Sequence, residues 1–504
     1  MATLRDYRDE RLRKLETLRE LGVDLYPAQT ERTQTNTEII EKFDELSGQM
    51  VTVVGRIVSI RSFGKLAFIK LRDRTGEIQL YLQKDSVAEL DASRGVLGMK
   101  QLKLLDTGDF VQATGEVTRT QTGEKSVGVR ELRLLTKSLR PMPTELTNKE
   151  ERFRRRYVDM NVNPEVRERF VRRSQFWQAT RDFLNSEGFI EINNTVLEHT
   201  AGGADATPFT THMDALDQEF YLRISHELPL KRLLVAGFEK VYDIGPRFRN
   251  ENYTEEHLPE HMAMEWYWAY ADWQMGMALT EKMIRFVVDR TWGRRRFELA
   301  NGQMVDFGAD GEGFPKISFV EIIQREFGID VFESSIEEIQ AKLAEHNLEV
   351  EKVDNRLRSI DKLWKKYRKT IAGPVFLIDI PTFMQPLAKV QSSDSRLSQQ
   401  FNLVFGGSEM CKAYSELNDP LDQLGRFKEQ QALRDAGDSE AQMLDIDFVE
   451  ALEYGMPPAC GLGYSERVFW SLEGVSAREG TPFPQLRREI DETTREIYGD
   501  IELG

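Results

Sequence analysis

The stretch Gly237–Trp273, GFEKVYDIGPRFRNENYTEEHLPEHMAMEWYWAYADW, constrains this chain more than any other. It reads as strand, tight loop, strand. Val241, Asp243, Ile244 and Phe248 mix apolar and polar residues as a partly buried strand does. Glu251 to Glu260 is polar with Pro259 near its end, and Met262, Met264, Trp266 and Trp268 then alternate with Ala263, Glu265, Tyr267 and Ala269. Period two puts Arg249 and Glu251 on one face, and Glu265 with Tyr267 on one face of the partner strand. An arginine, carboxylates and a phenol crowded on one sheet surface cost desolvation unless a ligand or partner satisfies them. The plain alternative is a solvated hairpin face.

The rest of the chain decides between the two. At 504 residues it exceeds one typical domain. Hydrophobic content of 40% and charged content of 30% describe a soluble globular protein. No apolar run is long enough to span a bilayer, and the opening MATLRDYRDERLRK is too charged for a signal peptide. Cys411 and Cys460 make no disulfide scaffold and no CxxC metal pair. A cytoplasmic location is the expectation. A net charge of −16 argues against nonspecific coating of nucleic acid but leaves room for a local basic groove.

Residues 3–21 predict a surface helix stopped by Gly22, its basic face either solvated or turned to RNA. From Met50 to Arg140 the pattern changes to short alternating runs, separated by turn signals at Ser62-Phe-Gly, Arg74-Thr-Gly and Thr122-Gly-Glu. About five strands in this length suggest a small barrel of the OB type. Ile78, Leu80 and Leu82 oppose Gln79 and Tyr81, while Ala67, Ile69 and Leu71 oppose Phe68 and Lys70. An outward Phe68 beside Gln79, Arg61 and Lys65 suits base stacking with edge readout on single-stranded nucleic acid, or an ordinary solvent face.

RPMP at 140–143 and the charged stretch 148–156 read as a linker. Beyond it helix and strand mix. Helices are predicted over 166–187, 276–293, 419–436 and 448–454, and strands over 375–380 and 403–405. Residues 315–370 read as a charged helical insertion with no visible chemistry. The expected organisation is a helical extension over 1–48, a barrel over 49–143 and a large α+β domain over 144–504.

Three further stretches carry chemistry. In TAGGADATPF, Gly202 and Gly203 allow close backbone approach to a ligand, and the following YLRISHELPLKR sets Glu227 in an apolar passage where it needs a cation. SEMCKAYSELND holds Glu409 and Glu416 in a semi-apolar run. In PPACGLGYSERVFW, glycines precede an arginine that opens an apolar helix, an arrangement suited to an anion. Each is weak alone.

Together they resemble the class II aminoacyl-tRNA synthetases, and within these the lysine enzymes of the class IIb subgroup. The resemblance runs almost end to end. It rests on GGADATPFTTHMDALDQEFYLRISHELPLKRLLVAGFEKVYDI, FRNEN followed by HLPE, AYSELNDPLDQLGRFKEQ and ALEYGMPPACGLG, and in the barrel on GRIVSIRSFGKLAF, GEIQLYLQ and ELRLLTKSLRP. It implies an OB-fold anticodon-binding barrel followed by a catalytic domain built on an antiparallel sheet flanked by helices. The implied partners are L-lysine, ATP with Mg²⁺, tRNA(Lys) and a second copy of the chain.

Residue roles follow from the same resemblance. Arg249 is implied to bind the ATP α-phosphate and the amino-acid carboxylate, Arg467 the γ-phosphate end, Glu251 the adenine amino group and His257 the terminal phosphates. Asn402 and Glu409 stand where the family holds its divalent ion. Glu227, Tyr267 and Glu416 match the set that receives the lysine ε-ammonium, with Glu265 and the Gly202–Gly203 backbone near the α-amino group. Phe68, Gln79 and Glu131, with Arg61 nearby, match the anticodon-reading face. A lysine side chain ends in a compact cation, so carboxylates belong at the far end of its pocket, whereas an aspartate pocket needs a cation there.

The chain also departs from the family. Thr195 replaces a proline in a region of the dimer interface, His261 an adenine-stacking phenylalanine, Asn402 a metal-binding glutamate and Lys412 a pocket asparagine. GLGYSER is one residue shorter than the family's third motif. A second reading is therefore a synthetase-like protein of weak or altered activity serving as an RNA-binding or regulatory module. A paralogue that lysylates a protein is disfavoured by the complete barrel, and one that lysylates a lipid by the lack of membrane segments.

Overall fold

The computed structural model describes residues 3–252, 254–350, 355–438 and 440–499. Tyr253 of the hairpin, residues 351–354 of the charged stretch, Ser439 and the two chain ends lie outside the described residues. The chain divides into two compact units, Met1–Val162 with Gln485–Gly504, and Asn163–Pro484.

The first unit is built on the barrel. Strand Met50–Phe63 pairs through its first half with Phe110–Arg119 and through its second with Leu66–Arg72, the two halves meeting at a bulge between Ile57 and Ser59. Such a bulge bends a strand and raises its twist, which lets one strand serve two sides of a barrel. Leu66–Arg72 pairs with Glu77–Gln83, and Phe110–Arg119 with Lys125–Thr136. Parallel pairing of Gln79 to Tyr81 with Ser126 to Gly128 closes the sheet and removes its open edge. The alternation expected from the sequence is kept: Ala67, Ile69, Leu71, Ile78, Leu80 and Leu82 are buried.

The N-terminal helix spans Leu4–Glu20 and begins at a capping box, Asp6 N–H donating to Thr3 Oγ1 at 3.2 Å and Thr3 N–H to Asp6 Oδ2 at 2.7 Å. It buries Leu15 and Leu18, and also Arg11, whose guanidinium donates to the carbonyls of Ser138 and Thr107 at 3.0 and 2.9 Å. That basic residue is therefore structural. Helix Glu492–Tyr498 returns to this unit, with the Arg8 guanidinium 5.9 Å from the Tyr498 ring.

The second unit centres, among the described residues, on an eight-stranded sheet. Its order is Lys316–Ser318, Val375–Ile378, Gln400–Phe405, Ser408–Ser415, Ala459–Ser465, Glu260–Ala269, Lys240–Phe248 and Ile190–Glu191. Only the two outermost pairings are parallel; the six central strands are antiparallel. Helix Pro164–Ser186 enters on a proline in its first turn and contributes Phe176, Trp177, Phe183 and Leu184 to the core. Helix Trp273–Trp292 starts where Asp272 Oδ1 accepts from the Gln274 and Met275 amides, and ends at Gly293. Both helices pack on the face of the sheet carrying Met264, Trp266 and Tyr464, leaving the opposite face for the site.

Two readings from the sequence change. The charged stretch is not wholly an insertion, because its first residues, Lys316–Ser318, form an edge strand of the central sheet. Three isolated residues carry too little periodicity to be seen as a strand. The hairpin pairs Asp243 with Glu265 and Arg247 with His261, but strand pairing stops at Phe248. Arg249 and Glu251 lie beyond it in the loop, so strand alternation does not position them; the backbone there is held by Arg249 N–H donating to Pro259 O at 2.7 Å.

Candidate active site

Period two along the central strands turns Arg247, Glu265, Tyr267, Gly461 and Gly463 toward one face, where a cavity of about 360 Å³ opens. Of the residues singled out in the sequence, Gly203, Glu227, Arg249, Glu265, Tyr267, Glu409, Lys412 and Arg467 line it. Gly202, Glu251, His257, His261, Asn402 and Glu416 are not among its lining. Gly202 adjoins Gly203 in the chain, His257, His261, Asn402 and Glu416 touch or back residues that line it, and Glu251 is exposed in the loop.

One end is acidic and dry. Glu227 opens the helix Glu227–Val235, and Glu416 follows the strand Ser408–Ser415; both are buried. The Tyr414 hydroxyl lies 2.7 Å from each carboxylate oxygen of Glu227. Burial pushes the Tyr267 and Tyr414 phenols well above their ordinary value, the surrounding glutamates adding to it, so both remain protonated. Gly203, at φ +82°, lets the loop pass where a Cβ would lie 2.8 Å from Glu227 Cβ.

In the middle, Glu265 is held by four donors. Its Oε1 accepts from Ser225 Oγ at 2.8 Å and the His226 amide at 3.1 Å, with an Arg247 nitrogen 3.5 Å away, and its Oε2 accepts from the Tyr267 hydroxyl at 3.1 Å. Burial opposes the charge, but His226, Arg247 and these hydrogen bonds hold the carboxyl below its ordinary value. Glu265 is thus an ionised acceptor with a fixed position.

The other end is cationic. Arg467 opens the helix Arg467–Glu473 one residue beyond the strand Ala459–Ser465 despite the shortened motif, and its guanidinium donates to Glu409 O at 3.1 Å and to His257 Nε2. Burial, then Arg467, pushes His257 down to about 4, so its imidazole is neutral and accepts. Glu466, the motif's buried acid, pairs with Arg173 on helix Pro164–Ser186 and accepts from Trp177 Nε1 at 3.3 Å, anchoring the turn before Arg467. His261 accepts at Nε2 from Arg247 at 2.8 Å and faces Leu258 O with Nδ1 at 3.1 Å. A carbonyl can only accept, so the imidazole carries its proton on Nδ1. Its edge is committed and only its faces remain for stacking. Burial, then Arg247 and Arg249, holds it well below its ordinary value.

The donors do not make a closed cage for a divalent ion. Among the described residues no group of three or more His, Cys, Asp or Glu gathers for a metal. Asn402 donates through Nδ2 to Glu409 Oε2 at 3.1 Å, its oxygen accepts from Gln400 Nε2 at 2.9 Å, and Glu409 Oε1 accepts from the Trp364 indole. One carboxylate is enough for magnesium when phosphate oxygens and water complete its shell.

Residues 148–487 match the family described as tRNA synthetases class II (D, K and N), and residues 51–135 match an OB-fold nucleic acid binding domain. The chain belongs to the class II tRNA synthetases. It is 40% identical to a lysine–tRNA ligase of Thermotoga maritima over 511 aligned residues, covering 99% of this chain and 100% of that protein. It is likewise 40% identical to the lysine–tRNA ligase of Enterococcus faecalis, with 96% and 99% covered, and to that of Clostridium perfringens, with 95% of each covered.

Several residues of this synthetase's site were not found by sequence reasoning. Arg247 was passed over for its neighbour Arg249; its position in strand alternation with Glu265 was the available signal. Burial and the adjacent Arg249 push it down to about 9, which leaves it charged at neutral pH. Tyr414 and Lys231 lay inside strings quoted for other residues. Helix Arg356–Tyr367, in the stretch read as having no chemistry, brings Trp364 onto Glu409 and Lys365 into the cavity wall, with Arg368 just beyond it 3.9 Å from Glu409. Nothing local to that helix signals this, since the contact joins residues 45 positions apart.

On the barrel, Arg61 pairs across strands with Phe68 and Phe68 with Tyr81, giving an aromatic row with centroids 5.5 Å apart for Phe68 and Tyr81 and 6.3 Å for Phe63 and Phe68. Gln79 Nε2 donates to Ser126 Oγ at 3.0 Å. Glu131 is held by Arg94, which donates to its two oxygens at 2.9 and 2.7 Å.

Proposed function

We propose that this synthetase activates L-lysine with ATP and transfers the lysyl group to the 3′ end of tRNA(Lys). The observation that carries the reading is the pair of buried glutamates, Glu227 in the cavity lining and Glu416 behind its Gly461, away from Arg249 and Arg467. A cationic side chain belongs at the first end and an anionic carboxylate with the phosphates at the second.

In this reading Glu227, Glu416 and Tyr267 receive the ε-ammonium, and Glu265 with the Gly202–Gly203 backbone receives the α-amino group. Arg249 holds the lysine carboxylate against the α-phosphate and Arg467 and His257 the far phosphates, while Lys412 adds positive charge to the lysine pocket. Adenine lies by the His261 ring, with Glu251 at its amino group. A lysine carboxylate oxygen attacks the α-phosphorus and pyrophosphate leaves. The carboxylate is already a nucleophile, so the step needs positioning and charge stabilisation rather than a protein base. A fixed donor of this kind supplies about 3–4 kcal/mol of transition-state stabilisation. The ribose hydroxyl at the tRNA 3′ end then attacks the adenylate carbonyl and AMP leaves. Magnesium entering with the triphosphate would be held at Glu409, beside Asn402, and supplies neutralisation of phosphate charge. Phe68, Gln79, Arg61 and Glu131 read the anticodon. The same reading has the protein working as a homodimer in the cytoplasm.

ATP–pyrophosphate exchange measured across all amino acids tests it. Lysine is expected to give the response; no response to lysine, or a response to aspartate instead, overturns the assignment.

A further inference from the structure

Lys231 has no part in the roles above, yet it sits at their centre. It lies one helical turn after Glu227, so both side chains leave the same face of the helix. Its ammonium is 2.5 Å from Glu227 Oε1 and also contacts Glu416 Oε2, and the side chain is fully buried. The Tyr414 and Phe448 rings stand 5.6 and 5.7 Å from the nitrogen. A buried ammonium is retained in a dry place only when its partners hold it well, and here two carboxylates do. Burial lowers the tendency of Lys231 to stay charged, but Glu227 and Glu416 outweigh it and the group is held above its ordinary value.

The charges can be counted element by element. The helix of Lys231 supplies Glu227. The strand Ser408–Ser415 supplies the neutral Tyr414 and leads to Glu416. The strand Glu260–Ala269 supplies neutral Tyr267 and Glu265, the latter matched by Arg247. The strand Ala459–Ser465 supplies Cys460, a thiol pushed up by burial and so uncharged. Helix Ile446–Glu453 supplies the Phe448 ring. Two carboxyls therefore share one ammonium.

We propose that Lys231 is a positioning residue that turns the acidic end of the cavity into a receptor for a single cation. It binds Glu227 and Glu416 into one unit and opposes the burial that drives both toward their neutral forms, so that they can meet the substrate's ammonium. This rests on the lysine reading above. Burial holds both carboxyls above their ordinary value, Glu416 well above it, and Lys231 is the strongest influence opposing burial on each. Without it, two carboxylates face each other in a dry cavity and one takes up a proton. Lysine binding must then displace that proton, so affinity improves as pH rises.

The test is the KM for lysine and for ATP in pyrophosphate exchange between pH 6 and 9, for the wild-type chain and for Lys231→Met and Lys231→Arg. Lys231→Met is expected to raise the lysine KM about tenfold or more at pH 7 and to recover it by up to roughly tenfold per pH unit toward pH 9. The ATP KM stays unchanged, and Lys231→Arg returns the wild-type profile. Lysine and ATP KM values rising together, or profiles parallel to wild type, overturn the proposal and make Lys231 a packing residue. Calorimetric titration of the wild-type chain with lysine at pH 8, in two buffers of different ionisation enthalpy, needs no variant to fold. Near-zero proton release is expected, and release of about one proton overturns the proposal. A wild-type chain that ignores lysine fails the lysine reading itself, and this proposal with it.

Discussion

Gly461 offers the sharpest perturbation of the cavity floor. It lies on the central strand Ala459–Ser465, directly across from Tyr267. A Cβ added there would stand 2.5 Å from Tyr267 Cδ1, and nearer still to Tyr267 Cε1 and Glu416 Oε1. Carbon atoms in contact prefer about 3.5–4.0 Å, so the ring must move by about 1 Å. It has little room, because it is buried and its hydroxyl donates to Glu265 Oε2 at 3.1 Å, an oxygen of the carboxylate that Ser225 and His226 also hold. Overpacking of this kind costs about 1–3 kcal/mol, which is roughly a 5- to 150-fold change in an equilibrium. The groups displaced are those assigned to the lysine ammonium and not those assigned to phosphate. Gly461→Ala is therefore expected to raise the lysine KM in pyrophosphate exchange by about 5- to 150-fold, with the ATP KM within about twofold and a lowered melting temperature. An unchanged lysine KM with an unchanged melting temperature would show that the floor yields and refute the reasoning.

Phe68→Ala should lower the efficiency of tRNA charging by about 5- to 150-fold, the worth of one stacked base, and leave pyrophosphate exchange intact; a fall in both would remove Phe68 from tRNA reading. Glu198, beside the site, is pushed up to about 8 by burial above all. A carboxyl raised in the folded state contributes stability that is complete below its ordinary value near 4.5 and is lost as pH rises through about 8. The melting temperature of Glu198→Gln should accordingly fall less than that of wild type between pH 6 and pH 9, and parallel falls would count against it.

The barrel was legible because its strands alternate cleanly, Ile78, Leu80 and Leu82 inward against Gln79 and Tyr81. Its closure through Gln79 to Tyr81 with Ser126 to Gly128 was not, since parallel pairing between distant segments leaves no local mark. Site residues lying in long quoted strings could be named, but the contacts among them could not. No periodicity announces that Lys231 bridges two glutamates, that Trp364 reaches Glu409, or that Arg247 binds His261. Those contacts depend on strand register and on helix placement. The loop position of Arg249 was missed for a similar reason: period two continues on paper past the point where pairing ends.

The two glycines of the strand Ala459–Ser465 give the cavity a floor of bare backbone, and this bears on how the site can diverge. A surface without side chains has nothing to exchange, so each substitution there adds atoms and narrows the space. Around the walls, at Arg247 and Lys412, replacement alters charge and shape in either direction at little cost in volume. Lineages that share this sheet should therefore keep the floor fixed and explore new substrates along the walls.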